Sequence, residues 1–386
     1  MKNILFIHQS AELYGSDKTL LLLLKHLDKT KFNPVVIIPF EGPLKTELEK
    51  ENIKVVIAPV LKLYRKMFSP KNIIKFFREI KSSFSTLNIL HKEHQFEIIY
   101  SNTLAVLLGI FYAQKTKIKH IWHVHEIIES PKIFTKAFNF LLALNSNTKI
   151  IYNSVATGNF WDINDKIKFK SQVIWNGLEL PNYYLSQVEV NKTKKELFQA
   201  NSNDLVIGLI GRISRWKGQQ VLLRAFHIVN KTHKNIKLVY VGSPPLNQEG
   251  FLENLYQEIN NLSLNNFVKV VPFQNDINLV WQSIDIAVVP STEPEPFGLV
   301  AVEAMLAKKP VIGSNHGGLT EIIINDETGF LVEPNNVEAL SEAICKLIDN
   351  SELRKSFGEK GYQRSIKEFS VDKYVQSFET VFSEML

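Results

Sequence analysis

Short, continuous apolar runs recur along the first half of the chain, separated by stretches with apolar residues at helical spacing. The runs predict strands at Ile4–His8, Pro34–Ile38, Lys54–Ala58, Glu97–Ser101, His120–Val124, Lys149–Tyr152 and Gln172–Trp175. Most are apolar throughout rather than alternating, as expected of parallel strands covered on both faces. The intervening spacing predicts helices that include Ser16–Leu27, Leu104–Ala113 and Phe134–Leu144. This βαβ alternation specifies a doubly wound sheet. It pauses from Pro181 to about Ser202, where a turn-rich, then Lys-rich polar stretch reads as a linker. It restarts with runs at Leu205–Ile210, Lys237–Val241, Val268–Val271, Ile284–Val289, Val311–Gly313 and Phe330–Val332, and Val371–Leu386 reads as one amphipathic helix. The expected fold is α/β, with two Rossmann-like domains over 1–182 and 183–368 and a final helical segment over 369–386. Ligands are expected at the carboxyl ends of the strands, facing a shared cleft.

A length of 386 residues agrees with two cores rather than one. The only cysteine, Cys345, excludes an intrachain disulfide and a Cys-rich metal site, and points to a reducing, cytoplasmic compartment. The N-terminal run in Met-Lys-Asn-Ile-Leu-Phe-Ile-His is too short for a signal-peptide core, and no run approaches the roughly 20 apolar residues of a membrane span. The net charge of +6 is split unevenly. Residues 1–180 hold 25 Lys and Arg against 15 Asp and Glu, whereas residues 181–386 hold 20 against 24. An anionic partner is therefore expected at the first half. No helix-turn-helix, zinc-finger or RNP signature supports nucleic acid as that partner. Between residues 70 and 90, Ile73, Phe76, Phe77, Ile80, Phe84 and Leu87 form a helical stripe, with Lys71, Lys75, Arg78 and Lys81 outside it. The stripe fits an ordinary helix packed on the sheet, and it also fits a basic amphipathic patch resting on an anionic membrane surface, peripheral to the inner face.

The densest chemistry lies in residues 291–305, Ser-Thr-Glu-Pro-Glu-Pro-Phe-Gly-Leu-Val-Ala-Val-Glu-Ala-Met. Glu295 falls in the loop after a strand and Glu303 inside the following helix. Helical spacing over those eight steps would set their α-carbons roughly 12 Å apart at about 1.5 Å per residue. A glycosidase pair needs carboxyl groups about 5–9.5 Å apart. Two grips on a longer ligand, with a sugar at one end, a ribose at the other and phosphates between, suit the pattern better. The amides near Gly298, Leu299 and Val300 open the helix and would face the phosphates, aided by the helix dipole. After the first strand of the second half comes Gly211-Arg212-Ile213-Ser214-Arg215-Trp216-Lys217-Gly218. Arg212 offers a planar fork and Lys217 a compact charge, a suitable pair for a diphosphate, although loop cations are also common on plain surfaces. Gly208 and Gly211 do not complete a dinucleotide fingerprint. In the first half, Gly15 would let backbone approach a phosphate or sugar, or would simply serve a turn. Trp122-His123-Val124-His125-Glu126 ends another strand. Its His-x-His could bind a metal, but no third ligand cluster and no Asp-x-Asp accompany it, so His125 reads as a polar residue facing the cleft.

The stretch Glu295-Pro-Phe-Gly-Leu-Val-Ala-Val-Glu303 resembles the E-x7-E motif of retaining glycosyltransferases of family 4. The likeness extends to Gly211-Arg212…Lys217-Gly218, Trp175-Asn176-Gly177, Gly313-Ser-Asn-His-Gly-Gly-Leu-Thr-Glu321 and Asn325-Asp-Glu-Thr-Gly-Phe-Leu-Val332. It covers nearly all of the second half, and the first half more loosely through Gly15 and His125. The resemblance implies a GT-B architecture, with the nucleoside-diphosphate sugar donor held mainly by the second domain. A glycan or lipid-linked acceptor would be held mainly by the first, to which the last helix would return. It implies that Arg212 and Lys217 neutralise the diphosphate, Glu303 accepts from the ribose hydroxyls and Glu295 holds donor-sugar hydroxyls. The amides after Phe297 would support phosphate and sugar, His125 would lie beside the reacting sugar, and backbone near Phe273 would meet the base. It also implies transfer with retention and without a divalent metal, fixed cations taking that role. The same fold also serves sugar-nucleotide epimerases, phosphorylases and non-catalytic carbohydrate-binding subunits, although the intact set Arg212, Lys217, Glu295 and Glu303 argues against a dead site.

Overall fold

The computed structural model describes residues 1–62 and 70–386; between Pro70 and Phe77, only the side chain of Phe76 is described. Lys71, Ile73, Lys75 and Phe77 of the basic amphipathic stripe therefore lie outside the described side chains. The chain divides into two compact units, Met1–Leu178 with Val371–Leu386, and Glu179–Ser370. The first boundary falls four residues before the expected 182, and the second after Ser370 rather than 368. The Val371 amide donates to the Leu178 carbonyl (3.2 Å), which pins both ends of that excursion to unit 1.

Unit 1 runs β1 (Lys2–His8), α1 (Gly15–His26), β2 (Phe32–Ile38), α2 (Pro43–Lys50), β3 (Lys54–Ile57), α3 (Pro70–His94), β4 (Ile98–Asn102), α4 (Leu108–Thr116), β5 (Lys119–Val124), α5 (Lys132–Ala143), β6 (Lys149–Tyr152), α6 (Val155–Trp161), α7 (Asp165–Lys168) and β7 (Ser171–Val173). All its strands pair in parallel, in the order β3-β2-β1-β4-β5-β6-β7. Each central strand is buried on both faces, which is why its sequence reads as an unbroken apolar run. One face packs on Leu87, Leu108, Trp122 and Trp161, with Phe76, Ile80 and Phe84 of α3 against that cluster. The described part of the α3 stripe thus lies on the core, as an ordinary packed helix does.

Unit 2 runs α8 (Gln187–Phe198), β8 (Leu205–Ile210), α9 (Gln219–Val229), β9 (Ile236–Val241), α10 (Gly250–Asn261), β10 (Val268–Val271), α11 (Ile277–Gln282), β11 (Ile286–Val289), α12 (Leu299–Leu306), β12 (Val311–Ser314), α13 (Leu319–Ile322), β13 (Gly329–Val332), α14 (Val337–Asp349) and α15 (Ser351–Glu368). Its sheet is also parallel, in the order β10-β9-β8-β11-β12-β13. The chain closes with α16 (Val371–Met385), which belongs to unit 1, where Phe378 and Phe382 meet Tyr100, Phe6 and Phe32 edge-on.

The stretch expected to be a linker is largely helix. Ser186 caps α8 through the Glu189 amide while the Glu189 carboxylate accepts from the Ser186 amide, a reciprocal capping box. Lys194 then fixes the helix to the sheet through Asp285 (2.7 Å). The Ser-x-x-Glu spacing carried that signal, and the lysine-rich composition obscured it. The helix expected from Leu104 begins at Leu108 instead, because Thr103 takes a positive φ of 81° and turns the chain first.

Candidate functional site

In an open parallel sheet, ligands bind beyond the carboxyl ends of the strands where the strand order reverses. In unit 2 that point lies between β8 and β11. β8 leads into Gly211, Arg212 and Lys217, and β11 leads into residues 290–298, so the topology places the two expected motifs together. Lys217 Nζ donates to Glu295 Oε1 at 2.7 Å, and Ser291 Oγ donates to the same oxygen at 2.6 Å. Glu295 is buried and Lys217 nearly so, and the Lys217 ammonium also lies 4.3 Å from the Trp216 ring centroid. Among the described residues nothing donates to Glu295 Oε2. The ammonium has three protons and spends one on the carboxylate, so it keeps donors for a second anion.

Tight backbone packing holds this carboxylate in place. The Gly318 amide donates to the Glu295 carbonyl at 2.7 Å. A Cβ on Gly317 would come 2.4 Å from that carbonyl oxygen, and one on Gly318 would come 2.4 Å from the Phe297 carbonyl oxygen. His316 Nε2 donates to the Ser291 carbonyl at 2.9 Å. The strand β11 to α12 turn is closed by Gly298, whose φ of +109° favours glycine and whose Cβ would strike Leu319 Cδ2 at 2.7 Å. Helix α12 thus starts with Leu299 and Val300 half-buried and no side-chain cap. Further along it, Glu303 Oε2 accepts from Trp281 Nε1 at 3.1 Å. Phe297 turns inward onto Phe369, with centroids 5.8 Å apart, so the site has only its backbone to use. Arg212 is exposed, and Phe273 is 50% exposed with its amide donating to Ser243 Oγ. Ser291, His316 and the Gly317-Gly318 pair lie inside stretches already quoted from the sequence, though without roles of their own there; Trp281 lies outside them, and nothing in the sequence marked it. A separate cavity of about 590 Å³ opens at the other end of α12, beside Lys308 and Lys309, among Tyr184, Lys194 and Tyr362.

In unit 1 the order reverses between β1 and β4, and the parallel register sets His8 opposite Asn102. Asp17 Oδ2 accepts from the Tyr14 amide at 2.8 Å and Asp17 Oδ1 lies 2.5 Å from His8 Nε2. Asn102 Nδ2 lies 3.0 Å from His8 Nδ1 and donates to the Ser16 carbonyl at 3.1 Å. Asn102 Oδ1 lies 2.8 Å from His125 Nε2, which also approaches His123 Nδ1 at 3.1 Å. The Tyr100 hydroxyl ends the chain on His123 Nδ1 at 2.5 Å. Both histidines of the His-x-His stretch therefore share one face. Burial pushes His125 down to about 3, keeps His123 well below its ordinary value and lifts Glu126 to about 7. The Glu126 carboxylate is occupied by the amides of Leu104 and His125, both at 3.0 Å. Gly15 opens α1 at the surface. Among the described residues no group of three or more His, Cys, Asp or Glu is placed to hold a metal ion, and no helix is long and apolar enough to cross a membrane.

The sequence pattern described as glycosyl transferases group 1 matches residues 190–364. An uncharacterized glycosyltransferase of Methanocaldococcus jannaschii is 30% identical over 94% of this chain and 92% of its own. This chain belongs to the group 1 glycosyltransferases. The capsular polysaccharide biosynthesis glycosyltransferase CapM of Staphylococcus aureus is 29% identical over 82% of this chain and 84% of its own. Anabaena HepE, solved in complex with UDP-glucose, is 26% identical, with a TM-score of 0.83 over the whole of both chains. WaaG, a glycosyltransferase involved in lipopolysaccharide biosynthesis, shares the fold at 14% identity and a TM-score of 0.72, covering 97% of this chain and 99% of its own. The fold class is GT-B, as its solved neighbours have it.

Proposed function

We propose that this glycosyltransferase moves a sugar, with retention of anomeric configuration, from a nucleoside-diphosphate sugar to a glycan or lipid-linked acceptor in cell-surface polysaccharide or glycolipid assembly. The observation that carries the reading is the half-used Lys217–Glu295 pair beside the start of α12. One carboxylate oxygen is fixed by Lys217 and Ser291, which leaves Oε2 to accept from a donor-sugar hydroxyl. The remaining Lys217 protons, Arg212 and the amides of Gly298, Leu299 and Val300 face the diphosphate. Glu303, held by Trp281, accepts from the ribose, and backbone near Phe273 and Gly15 completes the donor's surroundings. Unit 2 thus takes the donor, unit 1 the acceptor, and His125 a hydroxyl of the transferring sugar.

As the nucleoside diphosphate departs, negative charge builds on its β-phosphate. Fixed donors aimed at that charge lower the barrier, and they do so without a divalent metal. The departing phosphate oxygen takes the acceptor's proton as the acceptor attacks from the same face. Capsular and UDP-glucose-bound relatives support a polysaccharide setting and a nucleotide-sugar donor. Incubation with a panel of UDP- and GDP-sugars, with and without EDTA, tests the reading by nucleoside-diphosphate release. Release from one of them, unaffected by chelation, is expected; absence of any release or binding would overturn it.

A further inference from the structure

We propose that Asp17, His8 and Asn102 form a positioning relay that holds His125 with its proton on Nε2, so that Nδ1 is presented as a bare acceptor. The inference rests on the reading that His125 meets a hydroxyl of the transferring sugar. None of the three need touch substrate, and each acts on the next.

The direction of every bond follows from its two ends. At one end Asp17 has only acceptors, one of them already taken by the Tyr14 amide, so His8 must donate from Nε2 to the other. A neutral His8 then has an accepting Nδ1, and it meets the Asn102 amide nitrogen. The Ser16 carbonyl accepts from that same nitrogen, which holds the side-chain amide in this sense. Its carbonyl oxygen is therefore the group turned to His125, and an oxygen at 2.8 Å from Nε2 requires a proton there. The neighbouring ring does not compete. His123 Nδ1 has the Tyr100 hydroxyl as its own partner at 2.5 Å and stands 3.1 Å from His125 Nε2, farther than the Asn102 oxygen at 2.8 Å. Among the described residues nothing hydrogen-bonds His125 Nδ1. All of this lies at the β1–β4 switch point, with His8, Asp17 and Asn102 buried, so water cannot easily replace a missing partner. A histidine held in one tautomer by its rear partner is the arrangement by which a buried carboxylate orients a catalytic imidazole.

The test reads the tautomers directly. Full-length protein labelled with ¹⁵N at the histidine rings gives two-bond ¹H–¹⁵N spectra, with His125 assigned by the signal lost in His125→Ala. In the wild type, His8 and His125 are expected with protons on Nε2 and bare Nδ1 atoms. Asp17→Asn replaces one of two acceptors by a donor. The Tyr14 amide keeps the remaining acceptor and His8 shifts its proton to Nδ1; with two N–H groups then opposed 3.0 Å apart, the single bond to the Ser16 carbonyl no longer holds the Asn102 amide, which turns over, and His125 moves its proton to Nδ1. A fall in kcat of at least about 10-fold at little-changed donor KM is expected with it, as when the carboxylate that sets the tautomer of a working histidine is replaced by its amide. A wild-type His125 protonated on Nδ1 would overturn the relay, whatever the variant does. So would an Asp17→Asn protein in which His125 keeps its proton on Nε2. A tautomer switch with unchanged kcat would sustain the relay and overturn the assignment of His125 to the sugar.

Discussion

The two units carry the same topological feature and fill it with opposite chemistry. At the β1–β4 switch point of unit 1 the hydrogen-bonded side chains around His125 are uncharged ones, Asn102 and His123, with the Asp17 carboxylate at the rear. At the β8–β11 switch point of unit 2 the groups are charged, with Lys217 on Glu295 and Arg212 at the surface. Burial explains the first case: taking imidazoles out of water disfavours their charged form, so His125 stays neutral down to about 3. In the second case Lys217 and Glu295 meet as a direct ion pair at 2.7 Å. The fold supplies the location, and the residues at the strand ends supply the chemistry. A neutral, directional site suits uncharged hydroxyls, and a cationic one suits a diphosphate.

The largest effect that sharpens this contrast should come from Lys217→Ala. It removes a cation from the developing phosphate charge and strands a buried carboxylate, and kcat should fall on the order of 100- to 1,000-fold. The same removal from a buried pair should cost about 3 kcal/mol of stability, read by denaturant unfolding. A kcat within a few-fold of wild type would mean that the unit 2 site does not stabilise the leaving group. Glu303→Gln should act on affinity instead. With the charge of the proposed ribose acceptor removed, nucleotide binding should weaken by about 10-fold, at roughly 1.4 kcal/mol per decade, with kcat nearly preserved. Titration calorimetry with the nucleoside diphosphate measures it, and an unchanged Kd would remove Glu303 from the donor site.

The neutral unit should reveal itself through pH. His120 and His125 have folded values of about 4 and about 3, below the ordinary 6.5. Their contribution to stability is fully present above 6.5 and is lost as pH falls through that window, because only the unfolded chain takes up the protons. Glu126 works in the opposite sense. Its folded value of about 7 lies above the ordinary 4.5, so its contribution is fully present at low pH and is lost as pH rises from 4.5 to 7. Calorimetric unfolding should therefore show unit 1 losing stability from pH 6.5 to pH 4.5, and Glu126→Gln should steepen that loss. A variant with a shallower profile would contradict the sign. The last effect concerns the basic residues of the 70–90 stretch, and salt screens it. Neutralising Lys71, Lys75, Arg78 and Lys81 should weaken binding to anionic vesicles by up to about 1 kcal/mol per residue in low salt. Equal binding by that variant would remove the membrane surface from the account.

Much of the fold was legible because a parallel strand buried on both faces has to be apolar throughout. The runs at Lys149–Tyr152, Leu205–Ile210 and Val268–Val271 match the observed strands end for end. Helix α8 was illegible for the converse reason: most of its surface faces water, so its hydrophobic signal is weak and only its capping box marks it. Glu295 and Lys217 were readable as chemistry, but their direct pairing was not, since it depends on two loops 78 residues apart meeting beyond the carboxyl ends of two central strands. The relay behind His125 was hidden more deeply. His8 and Asn102 are 94 residues apart, and only the β1–β4 register brings them together. Ser291 and Trp281 look ordinary in the sequence; what makes them matter is the carboxylate each one holds.

In the proposed reading unit 2 grips one donor at both ends. A crystal structure with the nucleoside-diphosphate sugar that is turned over would test it most directly. The β-phosphate is expected at Lys217, Arg212 and the amides that open α12, the sugar on Glu295 Oε2 and the ribose on Glu303. A donor bound away from α12, or one whose ribose lies on Glu295, would contradict it.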